Sequence, residues 1–345
     1  MNKKKICRIY QSWSLYILSM TLVFSLGCEA LFIPAGNGTR ETELFEEAWT
    51  FTDREYSFFE YKNIDWDATR SQFASRVNDG MGEEALFDVL ADMLFVLRDG
   101  HVNLSSPFDF SRNWTWYLNS PPNFNADILE RNYFNGEQQF VGGFTIYDFG
   151  DVGYVRYSSF INAVSPTSLN YIFGDVFRDK RGVILDVRNN GGGSVLNRDF
   201  LVSRFTDTEV VAGRQRYKNG PEHDDFSDFE DITIAPSAGD AYLSPVVLLT
   251  NRSSYSATNL FTLCMKELPQ VTVMGDTTGG GGGAPAFTEL ANGWVIRVSA
   301  TQSFDNAGFN VEDGIPPDVF VQMDSTDIAN GVDTILEEAL EFLRR

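Results

Sequence analysis

Histidine is nearly missing from this sequence: only His101 and His223 occur in 345 residues. Proton chemistry based on imidazole must therefore fall to one of two positions. Cysteine is almost as scarce. Cys7 and Cys28 lie near the N-terminus and Cys264 sits in an apolar helical pattern, so no internal disulfide framework is expected. Positive charge is short as well. The 27 Lys and Arg face 48 Asp and Glu, a net charge of −21, which argues against a nucleic-acid partner and against electrostatic docking on anionic lipid. No G-x-G-x-x-G is present, and no Lys-Ser/Thr follows the glycine runs, which argues against a phosphate loop. No internal repeat occurs, and no lysine lies beyond Lys266. What remains is enough for a folded core. With 43% apolar and 14% aromatic residues the chain suits one large domain or two small ones.

The N-terminus reads separately. "MNKKKICR" is basic, and "LYILSMTLVFSLG" is apolar but too short to span a membrane comfortably as a mature helix. Cys28 follows. A charged segment and a short apolar segment are the layout of an export signal. "SLGC" resembles a bacterial lipobox, in which the cysteine becomes the lipidated first residue. The expectation is a signal peptide over 1–27, lipidation at Cys28 and a tether over 28–41. An ordinary signal peptide, or an uncleaved anchor, with an incidental Cys28 is the alternative. The mature protein would then be an exported lipoprotein, periplasmic or associated with the outer membrane.

From about Thr42 the pattern is helical. Phe45, Ala48, Trp49, Thr52, Tyr56 and Phe59 recur at spacings of three and four. Asp65 is placed to cap a second helix. Leu86, Leu90, Met93, Leu94 and Leu97 mark one face of a third. The expected organisation is a helical subdomain over 42–105, a connecting segment over 106–142 and an α/β core over 143–345. In that core the runs "GGFTIYDF", "VGYVRYSSF", "GVILDVR", "PVVLLTN", "VTVMG" and "WVIRVSA" read as strands, with helical stretches over 164–179, 194–206 and 256–268. "GVILDV" and "PVVLLT" are apolar throughout, as strands covered on both faces are. Residues 213–241 are polar and acidic and read as an irregular surface excursion.

Three stretches can carry chemistry. His101 ends "VLRDGHVNL" at an element boundary, where it is free to point into a cleft or to serve as a hydrogen-bonded structural residue. His223, in "GPEHDDFSDFED", reads as solvated. Ser256 stands where a buried strand has turned into a helix. Free N–H groups and the helix dipole favour negative charge there, which suits an alkoxide nucleophile, or the serine simply caps the helix. In "GVILDVRNNGGGSVLN" a buried strand runs into three glycines, a backbone that can present N–H groups to an anion. Cys264 reads as a small buried hydrophobe.

Together and in this order, "LRDGH", "ILDVRNNGGG", "SYSATN", "GDTTGG" and "GFNVEDGIPPD" resemble the catalytic core of the S41 serine peptidases, which include the C-terminal processing peptidases and the tricorn core protease. The resemblance covers most of residues 42–322. It implies an α/β, ClpP/crotonase-like core and peptide or unfolded protein as substrate. In the processing-peptidase branch the base is a lysine 25 positions after the nucleophile. In this sequence that position is Gly281, in the middle of Gly279–Gly283. The tricorn-like branch uses a histidine instead, oriented by an acid near the C-terminal block. The roles implied are Ser256 as nucleophile, His101 as base and Glu312 as the orienting acid. The N–H of Ala257 and one from Gly191 or Gly192 would form the oxyanion hole. No metal or cofactor is called for, and an imidazole base implies activity rising through a pKa of roughly 6 to 7. The glycine run is then expected to line the cleft. About 40 residues separate His101 from Gly143, too few for the PDZ module many relatives insert there. Gly100 stands where the tricorn branch has Ser, and Asn259 where many relatives carry Glu. These departures keep a second reading open, a non-catalytic peptide- or ligand-binding protein on the same fold.

Overall fold

A computed structural model describes residues 40–114 and 118–345. The proposed signal peptide, Cys28 and nearly all of the tether lie outside the described residues.

Three helices open the described chain: α1 (Glu41–Glu55), α2 (Trp66–Ala74) and α3 (Glu83–Phe95). The Asp65 side chain accepts from the Ala68 N–H at 2.8 Å and caps α2. Their apolar faces bury the positions marked by the sequence periodicity, among them Phe45, Ala48, Tyr56, Leu86, Leu90 and Met93. This core is not closed by helices alone. It is completed by Leu290, Trp294, Ile296 and Val298, which come from the far end of the chain. Those residues belong to the hairpin of β10 (Pro285–Glu289) and β11 (Val295–Ser299), against which β1 (Asn103–Ser105) pairs antiparallel. The helical unit is therefore not self-contained.

The main sheet has seven strands in the order β13-β9-β8-β5-β4-β3-β2. These are β2 (Gln139–Val141), β3 (Phe144–Asp148), β4 (Val152–Tyr157), β5 (Gly182–Asp186), β8 (Val246–Thr250), β9 (Val271–Gly275) and β13 (Val319–Phe320). From β4 to β13 the pairings are parallel, while β3 and β2 add an antiparallel edge. Every residue of β5 and β8 is buried. Alternation explains why both are apolar throughout. Val183 and Leu185 face a layer containing α4 (Val195–Ser203) and α5 (Ala257–Lys266). Ile184, Val247 and Leu249 face the opposite layer, with α6 (Thr334–Arg344). The result is a mixed α/β fold with a helical layer on each face of the sheet. No inserted module stands between His101 and Gly143 among the described residues.

Residues 213–241 differ from expectation. Its two ends are ordered by pairing: β6 (Val210–Tyr217) and β7 (Glu230–Ile234) are antiparallel, and β12 (Thr301–Phe304) extends the sheet. The acidic positions Glu230 and Asp231 are exposed, whereas Ile232 and Ile234 are buried in the main core. The exposed face dominates the composition and hides the strand.

Candidate active site

Strand β8 ends at Thr250, and a pinned loop leads to Ser256. Asn251 Nδ2 donates to Asn189 Oδ1 at 2.8 Å and to the Pro122 carbonyl at 2.7 Å. Ser254 Oγ donates to the Val187 carbonyl at 2.8 Å, and the Tyr255 N–H donates to the Asn190 carbonyl at 3.0 Å. Held on both sides, Ser256 adopts φ 60° and ψ −120°, a conformation that costs about 1–3 kcal/mol for a non-glycine residue. Its N–H donates to the Gly280 carbonyl at 2.9 Å. The side chain makes no capping bond to α5; instead, Ser256 Oγ lies 2.9 Å from His101 Nε2. The capping alternative for this serine is thus excluded by where its hydroxyl goes. A strained turn between a buried strand and a helix, presenting a hydroxyl to an imidazole, is the geometry of an activated nucleophile.

His101 is buried, and its ring packs edge-on against Tyr255 with centroids 5.0 Å apart. Burial pushes its pKa down to about 4; Asp99 and the Gly283 carbonyl pull the other way, and the Arg297 and Lys62 charges add to the lowering. That is well below the range of 6 to 7 expected for an exposed imidazole, because the interior disfavours the cation. Neutral at pH 7, the ring is able to accept the Ser256 proton. Nδ1 is buried and meets no acceptor in full hydrogen-bond geometry, the Gly283 carbonyl acting on the ring from outside it.

Glu312 is not where the sequence reading put it. It is buried, but its oxygens are taken by Lys62 Nζ at 2.9 Å and by the Gly282 N–H at 3.0 Å. No hydrogen bond joins it to the imidazole. The acid that touches this histidine is Asp99. Its Oδ1 accepts the His101 backbone N–H at 2.8 Å, and its Oδ2 accepts the Ser299 hydroxyl at 2.8 Å. Lys62 Nζ stands 3.7 Å from the same carboxylate. One buried ammonium therefore serves two buried acids. Burial and the charge of Asp99 push the Glu312 pKa up, and Lys62 only partly offsets them. The Lys62 pKa is raised, its two acid partners outweighing its burial. Asp99 had a local signal, an acid two residues before the histidine in "DGH", where its side chain can meet the N–H two positions on. Lys62 had none, being brought to Glu312 by tertiary packing.

On the other flank, "RNNGGG" is organised by Asn190. Its Nδ2 donates to the Tyr157 carbonyl at 2.8 Å, and its Oδ1 accepts the Gly192 N–H at 3.0 Å. Gly192 therefore has no N–H to give to an oxyanion. It is needed for space: a Cβ there would lie 2.8 Å from Ser256 Cβ and 2.9 Å from the Ala257 nitrogen. The N–H groups of Gly191 and Ala257 meet no protein acceptor among the described residues, and Gly191 opens onto the cleft. Below this loop Arg188 is buried between Asp186 (2.7 Å) and Asp333 (2.9 Å) and ties the end of β5 to α6.

The glycine run does not line the cleft. Gly279–Gly283 are all buried. At φ 88°, a Cβ on Gly280 would come 1.9 Å from the Glu312 carbonyl oxygen; at φ 75°, one on Gly281 would come 2.4 Å from the Tyr255 ring. The Gly281 N–H donates to the Glu312 carbonyl at 2.9 Å. The run is thus a close-packed buttress behind Ser256, and the Tyr255 ring fills the space a side chain on residue 281 would need. Two further residues complete the comparison with sequence. Cys264 is buried, with its thiol pushed up to about 11. His223 is not simply solvated: it stacks on Phe59 at 4.4 Å, and its Nε2 lies 2.7 Å from Asp53 Oδ1. Asn259 is buried and links the Val311 carbonyl (2.9 Å) to the Thr278 hydroxyl (2.6 Å).

A cleft of about 770 Å³ opens between the two flanks, with His101 and Ser256 in its wall. Among the described residues no His, Cys, Asp and Glu are grouped so as to hold a metal ion.

Comparison with known proteins agrees with this geometry. Residues 151–321 match the family model described as peptidase family S41, and residues 40–95 match the tricorn protease C1 domain. A solved Parabacteroides merdae protein assigned as a peptidase is 42% identical, with a TM-score of 0.84, covering 89% of this chain and 97% of that one. The carboxy-terminal-processing protease of Bartonella bacilliformis is 24% identical over 196 residues, 55% of this chain and 43% of the relative. The tricorn protease of Thermoplasma volcanium is 29% identical over 199 residues, 56% of this chain and 17% of the relative. The chain thus spans less than half the length of these two curated relatives. A strained serine at a helix start, an imidazole on its hydroxyl and a glycine loop beside it fall within the matched segments or next to them, and the chain belongs to peptidase family S41.

Proposed function

We propose that this protein is a serine endopeptidase acting through Ser256 and His101. The observation that carries the reading is the contact between Ser256 Oγ and His101 Nε2, made by a serine whose backbone is strained and whose hydroxyl caps nothing. Ser256 Oγ attacks the peptide carbonyl as His101 takes its proton. The oxyanion forms at the mouth of α5, where the Ala257 and Gly191 N–H groups are free to receive it. One such donor contributes about 3 kcal/mol to the transition state. His101 returns the proton to the leaving amine, and water then hydrolyses the acyl-enzyme by the same route in reverse. Asp99 holds the histidine backbone and supplies the negative charge that favours the imidazolium as it forms. Glu312, through Gly282 and Lys62, fixes the loop behind the serine and the position of Asp99. The test is a fluorophosphonate probe on the purified protein, read by peptide mass spectrometry. Labelling at Ser256 that is lost in Ser256→Ala supports the reading. Labelling elsewhere, or none, refutes it.

The unbonded Nδ1 favours one other reading, a peptide-binding protein that has kept the fold without turnover. It predicts peptide binding with no labelling. Export and lipidation at Cys28 remain part of our proposal on the sequence pattern alone. The intact mass of membrane-extracted protein checks them, and a mature N-terminus elsewhere without acyl mass removes them.

A further inference from the structure

The cleft carries one permanent charge among its described lining residues, and it is positive. Arg297 stands in the middle of β11, opposite Asn103 of β1 and Phe287 of β10. Its neighbours Ile296 and Val298 point into the helical core, so alternation turns Arg297 to the cleft face. The residue is half-buried. Its Nε is fully enclosed without an acceptor, and among the described residues its guanidinium makes no hydrogen bond or ion pair. Its guanidinium lies 5.8 Å from the Phe287 ring, and the Asp99 carboxylate favours its charge only from beyond ion-pair distance. The chain has 48 Asp and Glu, yet among the described residues none comes within ion-pair distance of this guanidinium. An arginine cannot shed its proton to escape burial, so its forked donors stay costly until something planar and anionic meets them.

The side of the cleft follows from the strand register. Asn103 is two residues from His101 and directly opposite Arg297. Arg297 therefore belongs to the histidine flank, away from the Gly191 flank where the oxyanion forms. In acyl transfer the histidine hands its proton to the departing amine, so this flank receives the segment C-terminal to the scissile bond. We propose that Arg297 is a specificity determinant that binds a substrate carboxylate on that side, either an Asp or Glu side chain or the peptide's own terminus. The proposal rests on the peptidase reading above. Bidentate pairing with a carboxylate satisfies the stranded donors, and a neutral amide at the same place leaves them short.

The experiment uses a synthetic library of 14-residue peptides with randomised interiors, made both as free acids and as C-terminal carboxamides. Cut sites are read by mass spectrometry. For the wild-type protein, carboxylates should be enriched about tenfold or more at one fixed position C-terminal to the cut, the discrimination expected of a site that leaves its own donors unpaired with the wrong ligand. Enrichment confined to the free-acid library identifies the terminus; enrichment that survives amidation identifies the side chain. Arg297→Gln, which keeps the aliphatic stem, should abolish the enrichment while Ser256 still takes the fluorophosphonate. Cleavage without acid preference, a preference unchanged in Arg297→Gln, or a preference N-terminal to the cut overturns the proposal. If Ser256 is unlabelled and nothing is cut, the peptidase reading has failed separately. Fluorescence polarisation of one acidic peptide and its amide on Ser256→Ala, with and without Arg297→Gln, then decides the carboxylate claim by binding: a preference for the acid that needs Arg297 supports it, and equal binding overturns it.

Discussion

Acid should leave this site working far longer than an ordinary imidazole would allow. Burial holds His101 near a pKa of about 4, against about 6.5 for a free histidine. At pH 5.5 a free imidazole is neutral in about one molecule in ten, whereas one with a pKa near 4 is neutral in about 97%. The free-enzyme rate at pH 5.5 should therefore stay within a few per cent of its plateau instead of falling about tenfold. Two readouts follow the same ionisation: kcat/KM on a fluorogenic peptide, and the second-order rate of fluorophosphonate labelling, which needs no knowledge of the substrate. Asp99→Asn sharpens the test. It retains a side-chain oxygen for the His101 N–H but removes a charge that favours the imidazolium, so the acid limb should move to still lower pH while the plateau rate falls. An acid limb centred near 6.5 in the wild type, or one that Asp99→Asn moves upward, refutes the argument.

The same burial should show in stability. Between pH 6.5 and 4 the unfolded chain takes up the His101 proton and the folded one does not, so acid favours unfolding there by up to about 3 kcal/mol. The difference between wild type and His101→Gln in urea titrations isolates this contribution from that of Glu312, which has the opposite sign; a difference that does not change with pH would contradict it. Gly281→Lys puts an amine where processing peptidases carry their base, but at φ 75° and against the Tyr255 ring. It should lower both the thermal midpoint and Ser256 labelling and should not rescue His101→Ala, and restored labelling in that double variant would show the loop has room after all. Lys62→Met strands Asp99 and Glu312 in the interior and should destabilise the fold by about 3–5 kcal/mol. The added triple change Asp99→Asn, Glu312→Gln, Lys62→Met should recover part of that loss in a chemical denaturation series.

Taken alone, the local pattern left Ser256 open to a capping role and His101 to a structural one, at a strand-to-helix junction and at the end of the best helix. The family motifs then joined them. The helices within 42–105 and the buried strands were legible from period and apolarity. The acid beside the histidine was misassigned although Asp99 stands two residues away in "DGH", because the family pattern pointed to Glu312. Glu312 is drawn off by Lys62, whose position in the chain carries no sign of that pairing. The glycine run was misread because composition cannot distinguish a loop opened for a ligand from one packed too densely for any Cβ. His223 was misread for a similar reason: its acidic neighbours are exposed, while Phe59, on which it rests, lies far off in sequence.

The helical unit that carries His101 buries its apolar face against Trp294, Ile296 and Val298. During synthesis those helices emerge roughly two hundred residues before the strands that cover them. Until β11 arrives, the unit has an open oily side and nothing to fix the histidine against the serine, whose own strained turn also waits for Gly280. Folding is then dominated by distant contacts, which makes it slow. It also makes the assembled site the last feature the chain acquires: a nascent or half-folded copy has Ser256 and His101 but no means of bringing them together.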